Sequence, residues 1–353
     1  MFINHIEGIE VITTKNELVR VLREYYNNEP DAIITNYTVY ESIPTTFIIH
    51  TQNKRSEHPQ FVKRFKEIAK GNCVNERVPE KHCSENIWLM KPIALNQGRG
   101  IEIFKNNLGA IQYSIDKQLK STQLIIQKYI EKPLLYKDRK FDIRVWAVLT
   151  WKGDIFYYKV GYIRTSSEKY TLDCKFNYIH LTNNCLQQQG NNYGIYEDGN
   201  TISFVTFQNY LNQNFPTLGI DFNAHIVPRM KDLAIDCILA GKDYLNPHKR
   251  RNCFELLGFD FMIDEDFRTW LIEVNTNPYL GIPNKFIEGL MPKMLNDLCE
   301  ITIDKSFRPI NDMPKRELKN QFELIYSEKQ GINQRRKFDV DIYPIAELKP
   351  AVS

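Results

Sequence analysis

Residues 259–278 read FDFMIDEDFRTWLIEVNTNP. FDFMID and WLIEVN are aromatic and β-branched runs, and the DED between them has turn composition, so the stretch predicts a β-hairpin. Side chains two apart on a strand share a face, which puts Glu273 and Asn275 together on the second strand. Antiparallel pairing can bring Asp260 opposite them. Three oxygen-bearing side chains then converge among Phe, Leu, Ile and Val neighbours. A strand buried on both faces does not tolerate an unpaired Glu. Hard oxygen ligands suit Mg²⁺, which needs few protein ligands and completes its shell with phosphates. The competing reading is a solvated strand edge with incidental acids.

Upstream of the hairpin, NIWLMKP, IEIF, LIIQKYI, FDIRVWAVLT and DIFYYKVGYIRTS have the same strand character from residue 87 onward. Helical patterns interrupt them at 203–214 and 228–245; Met230, Leu233, Cys237, Ile238 and Leu245 form the apolar stripe of the second. Before residue 87, 16–26 and 61–70 have helical spacing, with Asn16 as a cap candidate, and 45–50 is a short strand. Near the end, Leu318, Phe322 and Ile325 predict a helix over 314–329, and Arg335, Arg336 and Lys337 read as a solvated basic triplet. This alternation indicates an α+β chain with mixed or antiparallel sheets and flanking helices.

Two further segments carry chemistry. In 87–104, Lys91 ends a strand and a polar loop with Gly98, Arg99 and Gly100 precedes the next one. Glycines let a backbone approach phosphate, and a lysine supplies a point charge; an ordinary hairpin loop is the default for so short a signal. Neither a Walker A motif nor a dinucleotide fingerprint is present, nor are protein-kinase motifs. In KFDIRVW, Lys140, Asp142 and Arg144 alternate with Phe141, Ile143 and Val145. Arg164 ends the strand of 160–167, and 180–185 offers His180, Thr182 and Asn183. A Lys–Asp–Arg face is either a salt-bridged sheet or a grip on an anionic ligand, and the nearby acid cluster favours a nucleotide–metal site.

The whole chain bounds these readings. Its 353 residues exceed one small core, and 42% hydrophobic with 25% charged residues is ordinary globular usage. A net charge of +3 argues against nucleic acid as the main partner while leaving room for a local basic patch facing an acidic one. No apolar run approaches the roughly 18 residues of a membrane span, and the start, with Glu7 and Glu10, has no leader core. Seven cysteines without a CxxC pair read as reduced thiols. A cytoplasmic protein acting on neither membrane nor nucleic acid is expected.

IQKYIEKPLLY, RKFDIRVW, GYIRTSSEKY, HLTNNCLQ, NYGIYEDGN, ELLGFDFMID and WLIEVNTNP resemble, in order and spacing, the tubulin–tyrosine ligase-like family. The likeness runs over about 87–308, and more weakly through NHIEG, ITTKNELVRVL and IPTTFII. It implies an ATP-grasp-type fold and a ligase that uses ATP and Mg²⁺ to join a free amino acid to a protein through an acyl-phosphate. The usual target is the C-terminal tail of α- or β-tubulin, on the cytoskeleton, with cilium and basal body as further places. Within the family, the start and NTNPYLG resemble the glutamylating or glycylating branches more than the tyrosine ligase; a non-catalytic tubulin-binding relative is the alternative from another class. The resemblance implies four parts: a reduced N-terminal domain (1–86), central (87–135) and C-terminal (136–308) ATP-grasp subdomains, and a C-terminal helix and tail (309–353).

The implied roles fall on matching residues. Lys91 holds phosphate, covered by the loop Gln97, Gly98, Arg99, Gly100 and Ile101. Gln127, Lys128, Tyr129 and Ile130 form the adenine hinge. Lys140 and Asp142 lie on the nucleotide side, with Asp142 near the ribose. Arg144 and Arg164 face phosphate and the reacting carboxylate, where with Lys91 they stabilise the transferred phosphoryl group. Thr182 and Asn183 are the polar pair between substrate and nucleotide. Asp260, Glu273 and Asn275 are the magnesium ligands.

Overall fold

The structure is a computed structural model that describes residues 2–50, 56–72, 84–95, 98–118, 123–173, 177–304, 307, 319–336 and 338. In chain order the elements are β1 (Ile3–Asn4), α1 (Glu10–Thr13), α2 (Lys15–Asn28), α3 (Pro30–Ile34), β2 (Thr46–Ile49), α4 (His58–Ala69), β3 (Ile87–Pro92), β4 (Glu102–Lys105), α5 (Leu108–Gln118) and β5 (Leu124–Lys128). There follow β6 (Leu135–Tyr136), β7 (Arg139–Thr150), β8 (Ile155–Tyr158), β9 (Tyr162–Lys169), α6 (Asn177–His180), α7 (Asn184–Gln187), β10 (Thr201–Ser203) and α8 (Phe204–Asn214). The last are α9 (Val227–Ala240), β11 (Cys253–Ile263), β12 (Thr269–Thr276), α10 (Lys285–Ile301), β13 (Phe322–Ser327) and β14 (Ile332–Asn333).

Two sheets result. The smaller is fully antiparallel, in the order β2-β5-β3-β4. Trp88, Met90 and Ile126 face α4 and α5, packing on Phe61, Phe65, Ile111 and Ile115. Alternation sends Leu89, Lys91 and Gln127 to the opposite face. The larger sheet has ten strands built around β7 and β11, antiparallel neighbours from Phe254↔Thr150 to Phe261↔Ile143. Its β1–β11 pairing is parallel, which makes the sheet mixed. Phe141, Ile143, Val145 and Ala147 of β7 enter the main core with α2, α8 and α9. On the other face Trp146 and Val148 pack under α10, while Lys140 and Asp142 occupy the end that α10 leaves uncovered and Arg144, between the two, is buried against Asp260. One strand face therefore changes from polar to apolar along its length.

The expected hairpin forms as β11–β12, with Asp260 opposite Glu273. Its turn is held by Asp264, whose carboxylate accepts from Asp266 N at 3.0 Å, Arg268 N at 2.9 Å and Trp270 Nε1 at 3.1 Å. No helix among the described residues is long and apolar enough to cross a membrane. Of the seven cysteines, Cys185, Cys237, Cys253 and Cys299 are free thiols; the other three lie outside the described residues.

Four sequence expectations are corrected. The helix over 314–329 is overturned by β13; Leu318 lies outside the described residues. Phe322 and Ile325 are both buried because residues three apart on a strand face opposite sides of the sheet, here the α10 core and the main core respectively, and this two-sided burial mimics helical spacing. Asn16 is not a cap: α2 begins at Lys15 after Thr14, and the Asn16 amide donates to Glu17. The helix expected over 228–245 ends at Ala240, and Leu245 packs from the following turn.

Fourth, Arg335 and Arg336 are not a free solvated patch: the Arg335 side chain is buried and Arg336 is half-buried in an ion pair. Arg335 lies over the Phe338 ring at 3.4 Å and pairs with the fully buried Asp236 at 2.9 and 2.8 Å. Arg336 bonds Asp232 through both backbone and side chain, at 3.0 and 2.9 Å; Lys337 lies outside the described residues. Two acids on one buried face of α9 require partners, and the basic residues supply them. The same pairing removes Arg335 as a free contact for an acidic partner. Arg335→Ala removes the cation paired with buried Asp236, leaving it with the Tyr26 hydroxyl and the more distant Arg229, and is expected to cost up to about 3 kcal/mol, read as a lower urea midpoint; an unchanged midpoint would refute the clasp.

Candidate functional site

The uncovered polar end of the large sheet faces Leu89, Lys91 and Gln127 of the small sheet across a cleft of about 880 Å³ that opens to solvent. All three hairpin residues line it: Asp260 and Glu273 as cross-strand partners, and Asn275 opposite Gly258. The Asn275 amide nitrogen stands 3.3 Å from oxygens of both Asp260 and Glu273. Gly258 is required here: a Cβ would come within 2.9 Å of Pro278 and 3.5 Å of the Arg144 guanidinium.

The two arginines grip acids. Arg144 pairs bidentately with Asp260, its second contact being 2.9 Å. Arg164 pairs bidentately with Asp142 at 2.7 and 2.6 Å and reaches Asp260 at 3.0 Å. Register explains this, because Arg144 is opposite Asp260 across β7–β11 and Asp142 is opposite Arg164 across β7–β9. Burial would raise the Asp260 pKa, but the guanidiniums of Arg144 and Arg164 hold it well below the usual carboxylate range. Burial and the neighbouring Asp260 push Glu273 upward. The paired carboxylates thus differ: one is fixed as an anion, the other is ready for a cation.

Lys91 Nζ donates to Gln127 Oε1 at 2.7 Å, while the Gln127 amide donates to Thr46 at 2.9 Å, which fixes that side chain. Burial lowers the Lys91 pKa to about 8, and burial together with the Lys91 charge lowers that of Lys140 to about 7. Lys140 Nζ donates to the Tyr129 hydroxyl at 3.0 Å, and that hydroxyl lies 2.8 Å from His180 Nδ1. His180 Nε2 faces the Asp173 carbonyl at 2.9 Å. A carbonyl only accepts, so Nε2 carries the proton, Nδ1 accepts from Tyr129, and Tyr129 accepts from Lys140. Burial lowers the His180 pKa, which keeps this tautomer neutral.

The other expected residues are placed as follows. Gln127, Lys128, Tyr129 and Ile130 all line the cleft. The Lys128 N–H is bonded to Thr45 O at 2.7 Å and that of Tyr129 to Ile87 O at 3.0 Å, so these two donors are taken by the small sheet. Lys128 Nζ is turned to the buried Glu131 and the Ile87 carbonyl. Gly98 and Ile101 line the cleft, Arg99 is exposed, and Gly98 (φ +76°) and Gly100 (φ +70°) take left-handed conformations. Gly98 packs on Asn183, whose Oδ1 would lie 3.3 Å from a Cβ. Thr182 and Asn183 line the same wall. Gln97 lies outside the described residues.

Two lining residues had no assigned role in the sequence reading. Lys15, the first residue of α2, donates to the Leu95 carbonyl at 2.8 Å, across 80 positions, and shares the field of Glu273. His180 was noted as polar; its position beneath Tyr129 depends on a tertiary contact over 51 positions. No periodic signal precedes either.

The donor set fits magnesium and a polyphosphate. Among the described residues no cluster of three His, Cys, Asp or Glu side chains exists. Two carboxylates and one amide face the cleft instead, a set suited to a hard cation that keeps phosphate and water in its shell. Lys91, Lys140 and Lys15 add positive charge, and Leu89, Ile130, Leu181, Met262 and Ile272 make an apolar wall large enough for a ring.

Two sheets closing on a cleft with acids on one and a lysine on the other define a fold of the ATP-grasp type. The chain belongs to the tubulin-tyrosine ligase family, whose model matches residues 1–311. It is 33% identical over 273 residues to tubulin glycylase 3B of Tetrahymena thermophila, an alignment covering 74% of this chain and 22% of that protein. With tubulin glycylase 3A of Drosophila melanogaster it shares 35% over 253 residues, 69% of this chain and 24% of that one. With protein monoglycylase TTLL8 of Homo sapiens it shares 34% over 232 residues, 63% and 26% respectively. The chain thus spans about a quarter of the length of the curated relatives it matches.

The Lys140 pKa falls from the model-peptide 10.5 to about 7 on folding. Between those values the unfolded chain binds more protons than the folded one, so this residue makes stability rise with pH from about 7 toward 10. Lys140→Met is expected to raise the unfolding midpoint at pH 7 and to flatten that rise. A variant with the wild-type pH slope would contradict the assignment.

Proposed function

We propose that this protein is an ATP- and Mg²⁺-dependent ligase that joins free glycine to glutamate side chains of an acidic protein, with the C-terminal tails of tubulin as the substrate. The observation carrying this reading is the convergence of Asp260, Glu273, Asn275, Lys91 and Lys140 on one cleft. The choice of glycine over glutamate or tyrosine rests on the names of the relatives. A tubulin substrate goes with a cytoplasmic protein working on the cytoskeleton, and the proposal extends to cilium and basal body.

A carboxylate is a poor electrophile. The substrate carboxylate attacks the terminal phosphorus of ATP, giving an acyl-phosphate and ADP. The glycine amine then attacks the acyl carbon, phosphate leaves with the C–O electron pair, and the nitrogen loses a proton as the amide forms. Bound magnesium would neutralise polyphosphate charge, held by Asp260, Glu273 and the Asn275 amide oxygen. Lys91 and Lys140 orient the phosphates under the loop from Gln97 to Ile101. The Lys140–Tyr129–His180 chain aims the Lys140 amine, and Arg144 and Arg164 hold Asp260 ionised while adding positive potential where charge accumulates. Ile130 with the hinge Gln127 to Tyr129 receives the adenine, Asp142 lies toward the ribose, and Thr182 and Asn183 face the substrate side. No nucleophilic side chain is needed.

Incubation with tubulin, Mg-ATP and glycine, glutamate or tyrosine in turn, followed by mass measurement of the tails, tests the reading. Glycine addition is expected, and Glu273→Ala should abolish it while leaving the thermal melt intact. Addition of another amino acid alone overturns the glycine assignment. Full activity in folded Glu273→Ala overturns the metal role. A binding-only relative with a dead pocket would show no stabilisation by Mg-ATP, whereas a competent site at one hundred times its Kd gains about 2.7 kcal/mol.

A further inference from the structure

A second cavity lies at the opposite end of the long strands. β7 carries Asp142 at the cleft and Thr150 at this cavity, and eight residues at roughly 3.3 Å each put the two about 26 Å apart. The cavity spans about 1230 Å³, is broadly open to solvent and shares no lining residue with the cleft. Its walls are apolar, formed by Leu149, Trp151, Ile155, Ile238, Leu245 and Tyr326. Its charged rim is almost wholly basic: Lys152, Lys242, Lys249 and Arg251 against Glu328, and Glu328 is tied to Lys242 at 2.7 Å.

The basic run His248–Lys249–Arg250–Arg251 is divided by its loop. His248 and Arg250 pair with Glu7, at 2.9 and 3.2 Å, and Lys249 and Arg251 line the cavity. Among the described residues Lys152, Lys249 and Arg251 form no ion pair, and all three are exposed. Cations left unpaired around a large apolar volume select a ligand with both negative charge and apolar bulk. A nucleic-acid strand fits less well, because the charges ring a pocket instead of tracking a backbone along a groove.

We propose that this cavity docks an acidic peptide segment through an apolar side chain seated between Trp151 and Tyr326, with its carboxylates on Lys152, Lys249 and Arg251. The site is separate from the cleft and requires no ligation.

The test is fluorescence anisotropy on the whole chain, using a labelled glutamate-rich peptide with one central Phe. Its controls are the same peptide with Ser for Phe and a single-stranded oligonucleotide of equal charge. The Phe peptide should bind tightest, weaken with salt, and lose about tenfold in affinity in the exposed double variant Lys249→Glu/Arg251→Glu. Trp151→Ala, checked for fold by circular dichroism, should reduce the advantage of Phe over Ser. Unchanged affinity in the double variant, equal binding of the Ser peptide, or tighter binding of the oligonucleotide would overturn the proposal. So would displacement of the peptide by Mg-ATP, which would put it in the cleft. The readout is binding alone, so the proposal fails or stands apart from the ligase reading.

Discussion

The carboxylate of Asp260 is the constraint on which the site rests. It is 2% exposed and set in a sheet interior, where an unpaired anion would cost several kcal/mol. Arg144 and Arg164 remove that cost and in doing so tie β11 to β7 and β9. Asp142 then closes the network by taking the other side of Arg164. Four alternating charges in a low-dielectric pocket fix each other's positions more firmly than any one pair, and they lock the β7–β11 and β7–β9 registers. Glu273 stands just outside this network. It retains an oxygen face toward the cleft because its neighbour's charge is already satisfied.

A second economy lies in β7. The same alternation that drives Phe141, Ile143 and Val145 into the main core presents Lys140 and Asp142 to the cleft, Arg144 to the buried Asp260, then Trp146 and Val148 to α10. The change from polar to apolar occurs where α10 covers the sheet, so one strand supplies a wall of the site and a ridge of the core. Burial of Lys140 and Lys91 leaves their amines weakly hydrated, and a poorly hydrated cation gains more from an arriving phosphate than one already solvated.

Much of this was legible in the sequence because it depends on local period. The hairpin of 259–278, the alternating face of 140–145, the strand-loop-strand of 87–104 and the stripes of α4 and α9 are all period-two or period-3.6 signals. What was not legible depends on tertiary partners. Lys15 reads as an ordinary helix start until its carbonyl partner at Leu95 is seen. Arg335 and Arg336 read as a solvated patch because Asp232 and Asp236 lie a hundred positions earlier on a buried face. The strand at 322–327 reads as a helix because it is buried on both faces, so apolar residues three apart serve two different cores.

The clasp between Arg335 and Asp236 also bears on the order in which the molecule can be completed. The residues are 99 positions apart. Chains emerge at about 5–20 residues per second, so α9 leaves the ribosome seconds before the cations that neutralise its inner face. Through that interval Asp232 and Asp236 stay hydrated, and α2, which meets Asp236 through Tyr26, has no settled surface to dock on. β1 waits likewise for β11, since Ile3 pairs with Cys253. The packing of α2 on α9 is therefore completed only after the segment of Arg335 and Arg336 has emerged.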